Sequence, residues 1–170
     1  ESGIYRPRRY NRKYETMNIF VVDEDPVIAA QQLCDKHVVK MILETAQMLC
    51  TVAANHGHKT PYRKTHAKHP CTLWAGTSAG NWTWLLRHGL AMCAEYTRRY
   101  GRVHKSEEVI MWCSRLTMKF PGVDLTPFAQ AMPPQYHNNC AVTAYRAYYH
   151  GEKAKFATWK TEEPKWWRVR

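Results

Sequence analysis

Apolar positions along this chain recur mainly at helical intervals, and Asn18-Ile19-Phe20-Val21-Val22 is the one run that reads as a strand. Asp25-Pro26 is a helix start, with Asp as the cap and Pro at the first helical position, and predicts a short helix through Leu33. Asp35 can cap again. Lys36 to Ala54 then forms a long helix closed by Asn55-His56-Gly57, with a break near Cys34-Asp35. Asn81 is placed to cap a helix from Trp82 to Tyr100, in which Trp82, Leu85, Leu86, Gly89, Leu90, Cys93 and Tyr96 share a face and Gly101 marks the end. Ser106 opens another helix to about Lys119, before Pro121-Gly122, and Asn139 opens a last one to His150, stopped by Gly151. Thr126-Pro127 to Pro133-Pro134 reads as a short helix or an irregular connector. The expected fold is mainly α: a single-domain compact helical bundle with a long central helix over residues 17–151, a basic N-terminal arm over 1–16 and a basic, aromatic tail over 152–170.

The long helix is apolar nearly all round, as a buried central helix should be. His37, Lys40, Glu44 and Gln47 are the exceptions, and at about 100° per residue they fall within about 80° of one another. Burying any of these groups alone costs several kcal/mol unless it is paired or solvated, roughly speaking. The stripe therefore has two readings. Either it is the solvent side of the helix, with Lys40 and Glu44 as an i,i+4 ion pair, or it lines a pocket where a Glu and an amine do proton-transfer and nucleophilic chemistry.

Charge adds a partner. The 170 residues carry 25 Lys+Arg against 14 Asp+Glu, a formal surplus of +11, which points to a polyanion such as nucleic acid. The two ends together hold +6 of it and the loop Lys59 to Lys68 another +4. In that loop Lys59, Arg63, Lys64, His66, Lys68 and His69 are candidate phosphate contacts, with His69 also a secondary candidate for the pocket. His56, His58, His66 and His69 crowd this window, and a hydrolytic metal site of His66-x-x-His69 with Asp35 or Glu44 is the less favoured reading; no metal or other cofactor is expected. In the tail, Trp166, Trp167 and Arg168 suit stacking on bases beside phosphate contacts, and equally suit packing on their own domain. The six cysteines have no CxxC pair and are read as reduced thiols of a cytoplasmic protein, and no run approaches the length of a membrane span. Walker, GxGxxG, nucleophile-elbow and kinase patterns are absent.

The string Leu33-Cys34-Asp35-Lys36-His37, Glu44 seven residues after the His, and Val52-Ala53-Ala54-Asn55-His56-Gly57 resemble the first long helix of the phage pyrimidine-dimer DNA glycosylase/AP lyase family, the endonuclease V type. Pro70 to Gly101 is similar to that family's second long helix, so the likeness covers about half the chain. The chain also resembles uncharacterised phage proteins sharing Cys-Asp-Lys-His-Val-Val-Lys-Met-Ile-Leu-Glu. The resemblance implies attack of an amine on C1′ of the damaged nucleotide, an imine intermediate and strand cleavage by β-elimination. Glu44 would handle protons and stabilise the cation, and His37 would contact DNA. It further implies double-stranded, damaged or modified DNA as partner, in the host cytoplasm if phage-encoded, and a monomer is expected. Two departures stand out. The family's amine is a processed N-terminal α-amine, where this chain has Met17-Asn18 behind sixteen residues, so Lys40 enters as a substitute. The family's Arg before the Glu and its Arg three residues after are Leu43 and Gln47 here, which leaves phosphate binding to the loop and termini. Group transfer to a modified pyrimidine, and a non-catalytic nucleic-acid-binding or structural protein, are the alternatives.

Overall fold

A computed structural model describes residues 17–169; the basic arm over 1–16 and Arg170 lie outside the described residues. Asp25 caps the first helix, α1 (Pro26–Gln32), its carboxylate accepting from the Val27 and Ile28 amides. The break at Cys34 then turns the chain into α2 (Asp35–Asn55). Cys34, not Asp35, is the cap residue. Asp35 is held elsewhere, its Oδ1 accepting from the Lys160 amide at 3.0 Å and from Arg99 Nη1 at 3.1 Å.

The second half of the expected pattern splits in two. His69 caps α3 (Pro70–Thr77), its Nδ1 accepting from the Cys71 amide, and Ser78 in extended conformation starts α4 (Ala79–Tyr100) by accepting from the Asn81 amide. Asn81 is therefore not the cap. It is buried, and its side chain donates to Trp74 O and Thr126 Oγ1 and accepts from the Thr126 amide, tying the α3–α4 corner to the following connector. Gly101, at φ 69°, ends α4 in the left-handed conformation that a side chain would disfavour. Helix α5 (Glu107–Ser114) stops five residues before the expected Lys119. The chain beyond it instead runs past the α3–α4 corner, where Gly122 donates to Thr77 O and accepts from Ala79 N, and Val123 O accepts from Gly80 N. Those bonds satisfy backbone groups that the corner leaves open, and they outcompete further helix.

Asn18–Val22 is buried but pairs with nothing as a strand, and its end turns tightly, the Val22 amide donating to Phe20 O; among the described residues the only β-type contact is the isolated Ser78–Gly122 bridge. The connector 126–133 is irregular and leads through a single 3-10 turn (Pro134–Tyr136) to α6 (Ala141–Tyr148), which continues as a π-helical turn (Tyr149–Lys153). After α6 the chain folds back. Trp159 Nε1 donates to Gln32 O, Trp166 Nε1 donates to Gln32 Oε1, and Trp167, on the short α7 (Lys165–Arg168), is 4% exposed with its ring stacked on His150.

The result is a mainly α single domain in which α2 and α4 form the centre, with α4 packed on α1, α2, α3 and α5. The core runs continuously from Met17 through both central helices to Tyr145, Tyr149 and Trp167. Cysteines 34, 50, 71, 93 and 113 are buried free thiols and Cys140 is exposed. No described helix is long and apolar enough to cross a membrane.

Candidate active site

The centre of the site is Glu44, on the inward side of α2 and 6% exposed. The polar stripe is thus not simply the wet face of the helix: it runs from solvent into the core. Lys40 stays outside with 53% of its side chain exposed, and its Nζ lies 3.8 Å from Glu44 Oε2. That spacing is an ion pair rather than a hydrogen bond, and Oε2 is a buried oxygen that accepts no hydrogen bond. The other oxygen, Oε1, accepts from the backbone nitrogen of Asn18 at 3.2 Å. Burial pushes the Glu44 carboxyl up to about 7, against the opposing pull of Lys40, the Asn18 N–H and Lys153.

Asn18 is fixed on every side. Its Nδ2 donates to Ala131 O at 2.8 Å, while its Oδ1 accepts from Tyr145 Oη at 2.8 Å and lies within sulfur hydrogen-bond range of Cys71 Sγ. These bonds reach across α3, the irregular connector and α6, so the backbone nitrogen of residue 18 is held against Glu44 by three separate parts of the chain.

His37, two turns earlier on α2, is buried at 4% exposure with Nδ1 2.6 Å from Tyr149 Oη. Its ring stacks on Phe20, centroids 4.1 Å apart, and meets the edges of Tyr149 and Phe156. Burial, followed by the charges of Lys153, Lys40 and Lys36, holds its pKa well below the usual histidine value, so it is neutral at neutral pH. The Tyr149 hydroxyl shares its bond to His37 Nδ1 with a longer one to Cys34 Sγ at 3.7 Å.

The basic loop lies beside this centre. Thr51 Oγ1 accepts from the Thr65 amide, and Tyr62 Oη bonds Ser106 Oγ at 2.8 Å, pinning the loop to α2 and α5. Gln47 and Leu43 form one wall of a groove of about 630 Å³ whose other wall is Pro61 to Thr65. Lys59, Arg63, Lys64, His66 and Lys68 are all exposed, and none of the four cations forms an ion pair with a described residue. His69 is half-buried and spent on capping α3. The tail residues are elsewhere: Trp166 and Trp167 pack against the α1–α2 corner, and Arg168 lies 3.4 Å from Glu162 and 4.0 Å from Glu163. Among the described residues no group of three His, Cys, Asp or Glu side chains is placed to hold a metal.

Several members of the site escaped the sequence reading. Asn18 was visible as the one polar residue of an otherwise apolar run, but its nitrogen, not its side chain, faces Glu44. Tyr145, Tyr149 and Lys153 recur at four-residue steps, the spacing of one helical face, and that signal was available in the sequence.

No curated protein and no solved structure matches the chain. A family model does: that of the pyrimidine dimer DNA glycosylases matches residues 17–108, a segment that begins at the residue before Asn18 and contains α2, Glu44 and the basic loop. That span is more than half of the 170 residues, and the chain belongs to the pyrimidine dimer DNA glycosylase family, whose substrate is DNA.

Proposed function

We propose that this chain is a pyrimidine-dimer DNA glycosylase/AP lyase centred on Glu44, with the nitrogen of Asn18 as its attacking amine. The observation that carries this reading is the 3.2 Å contact between Asn18 N and Glu44 Oε1 in a buried pocket. As a peptide nitrogen, Asn18 N has its lone pair delocalised into the carbonyl of Met17 and is no nucleophile. Cleavage of the Met17–Asn18 bond turns it into an α-amine with an ordinary pKa of about 7.7 to 8, a substantial fraction of which is neutral near pH 7. Met17 is itself 1% exposed, so its removal also vacates volume at the site.

The amine lone pair then bonds to C1′ as the glycosidic bond breaks, and the departing base keeps that electron pair and takes up a proton. The new C1′–N bond goes over to a protonated imine as the sugar ring opens. Glu44, titrating near neutrality, can receive the proton that the amine sheds and pass it to the ring oxygen O4′ as the C1′–O4′ bond breaks, so that, ionised again, it faces the cationic imine; the imine acidifies C2′, and transfer of a proton from there to the carboxylate expels the 3′ phosphate. Lys40 is the second candidate for the amine, since its Nζ is 3.8 Å from the same carboxylate in the uncut chain. His37, neutral and bonded to Tyr149, is read as part of the pocket wall rather than as a phosphate-pairing cation. Lys59, Arg63, Lys64, Lys68 and His66, with Gln47, grip the duplex backbone in place of the arginines that Leu43 and Gln47 replace.

Borohydride reduction on a dimer-containing or abasic duplex tests this. A covalent adduct is expected, mapped by mass spectrometry to Asn18 in a chain beginning at that residue, and reduced by about a hundredfold or more in Glu44→Gln, the range of a lost general acid/base. An adduct on Lys40 that survives with Asn18 blocked assigns the amine to Lys40. Salt-sensitive binding with neither adduct nor nicking refutes the lyase reading in favour of a binding protein, and a mass increase on modified DNA refutes it in favour of group transfer.

A further inference from the structure

A residue at a chain end is harder to hold still than one inside the chain, and the lyase reading makes Asn18 a chain end. In the uncut protein, planar peptide units on both sides fix its nitrogen. Once the Met17–Asn18 bond is cut, that nitrogen hangs from Cα alone, and a turn about the Cα–C bond would swing it away from Glu44. The side chain opposes that turn. Nδ2 donates to Ala131 O at 2.8 Å, and Oδ1 accepts from the Ile19 amide at 2.8 Å and from Tyr145 Oη at 2.8 Å. The chain holds the carbonyl carbon and these bonds hold the carboxamide. The remaining heavy substituent of Cα, the nitrogen, is thereby left in place, 3.2 Å from Glu44 Oε1.

Both distant anchors lie beyond residue 108, outside the segment that the family model matches. Ala131 sits in the irregular connector and Tyr145 in the middle of α6. In a helix the amide and carbonyl of Ala131 would bond to their own neighbours; the irregular path leaves the carbonyl to Asn18 and lets the amide donate to Tyr145 Oη at 3.3 Å. Tyr145 is fully buried, and its ring meets that of Phe20 edge-on with centroids 5.9 Å apart, which fixes the hydroxyl from the ring side. Burial pushes its pKa well above the usual phenol value, so the hydroxyl keeps its one proton, which lies between Asn18 Oδ1 at 2.8 Å and Ala129 O at 3.0 Å.

We propose that Tyr145 is a positioning residue for the attacking amine: its hydroxyl, with the Ala131 carbonyl, clamps the Asn18 carboxamide so that a free nitrogen at residue 18 stays against Glu44. The inference rests on Asn18 supplying that amine. The part of the chain beyond the family segment thus holds the nucleophile rather than the substrate.

The clamp is read first in the full, uncut chain by NMR. Hydrogen exchange of the Asn18 carboxamide protons, identified by their loss in Asn18→Ala, is expected to be about tenfold faster in Tyr145→Phe, which keeps the ring and removes only the hydroxyl. Equal exchange overturns the proposal. In the chain beginning at Asn18, borohydride trapping on a saturating abasic duplex is expected to slow by about ten- to a hundredfold in Tyr145→Phe, with duplex affinity unchanged, the scale of a displaced reacting group. Reductive methylation of the same amine by formaldehyde, which is small enough to meet it in any orientation, keeps its rate. Loss of both rates together puts the defect in the amine itself and overturns the proposal, as does trapping that does not slow. Asn18→Ala keeps the α-amine without the clamp and is expected to slow trapping to a similar degree, with Tyr145→Phe adding little on top of it. A comparable further loss in the double variant means that the hydroxyl acts on the fold rather than through Asn18, and overturns the proposal as well. If Tyr145→Phe does not fold, Asn18→Ala carries the test, and undiminished trapping in it overturns the clamp. A chain beginning at Asn18 that gives no adduct on that residue at any pH refutes the lyase reading with Asn18 as its amine; adduct undiminished in Tyr145→Phe refutes the role of Tyr145 alone.

Discussion

Holding a proton into the neutral range makes Glu44 a liability to the fold as well as a tool. Its folded pKa, about 7, lies above the 4.5 of an unfolded chain, so the native state binds the extra proton between those values. Stability must then fall as pH rises from 4.5 towards 7, with the penalty fully present above 7 and absent below 4.5. The difference corresponds to about 3 kcal/mol. Glu44→Gln, which keeps an acceptor for the Asn18 amide, is expected to remove it: urea midpoints of variant and parent should coincide at acid pH and diverge above neutrality, with the variant the more stable. In a chain cut before Asn18, an ammonium at the same nitrogen is expected to shrink that divergence by favouring the ionised carboxylate. The identity of Glu44 and its partner Lys40 was readable because an i,i+4 pair on an apolar helix is a local fact. The Asn18 contact joins residues 26 apart through a backbone atom, which no residue type announces.

Among elements, the α1–α2 corner depends on one side chain. Arg99, on the last turn of α4 and with no exposed side-chain surface, donates to Glu95 at 2.7 Å, Asp35 at 3.1 Å, Leu33 O at 2.8 Å and Gln31 O at 3.0 Å. It closes the carbonyl ends of α1 and neutralises two carboxylates at once. Arg99→Ala leaves Asp35 without its cation, Glu95 with Arg98 alone and the carbonyls of Gln31 and Leu33 without their donor, and is expected to cost about 3 to 5 kcal/mol in urea denaturation. Arg99→Lys should rescue little of it, since an ammonium cannot span the four acceptors as the planar fork does. Helices α1, α2 and the end of α4 were legible because their punctuation is local: Asp25-Pro26, Asn55-His56-Gly57 and Gly101. The α3–α4 split and the early end of α5 were not, because both are decided by backbone bonds between Thr77–Gly80 and Gly122–Val123, chain segments that meet only in the folded protein. Asn81 illustrates the difference. It has the chemistry of a cap, and the interior claimed its side chain first.

Across the whole molecule, the surplus of +11 is unevenly committed. Loop cations stand free of described acids beside the Gln47 groove, whereas Arg168 in the tail has Glu162 and Glu163 as neighbours. Binding to duplex DNA should therefore lose about 0.9 from the slope of log K against log salt for each of Arg63→Ala and Lys64→Ala, whatever the sequence, and change little for Arg168→Ala. Charge in the sequence located the loop but gave the tail equal standing, because a Trp-rich basic segment looks the same whether its rings meet bases or its own core. The pocket itself spans the chain in a way that composition cannot register: Tyr145, 127 residues beyond Asn18, supplies a hydroxyl that holds Asn18 in place, and Tyr149 and Lys153 follow it. In a polypeptide emerging from a ribosome at about 5 to 20 residues per second, roughly 6 to 25 s separate the appearance of Asn18 from that of Tyr145. For that interval Glu44 has no enclosed pocket, and the burial that raises its carboxyl towards neutrality is not yet in place.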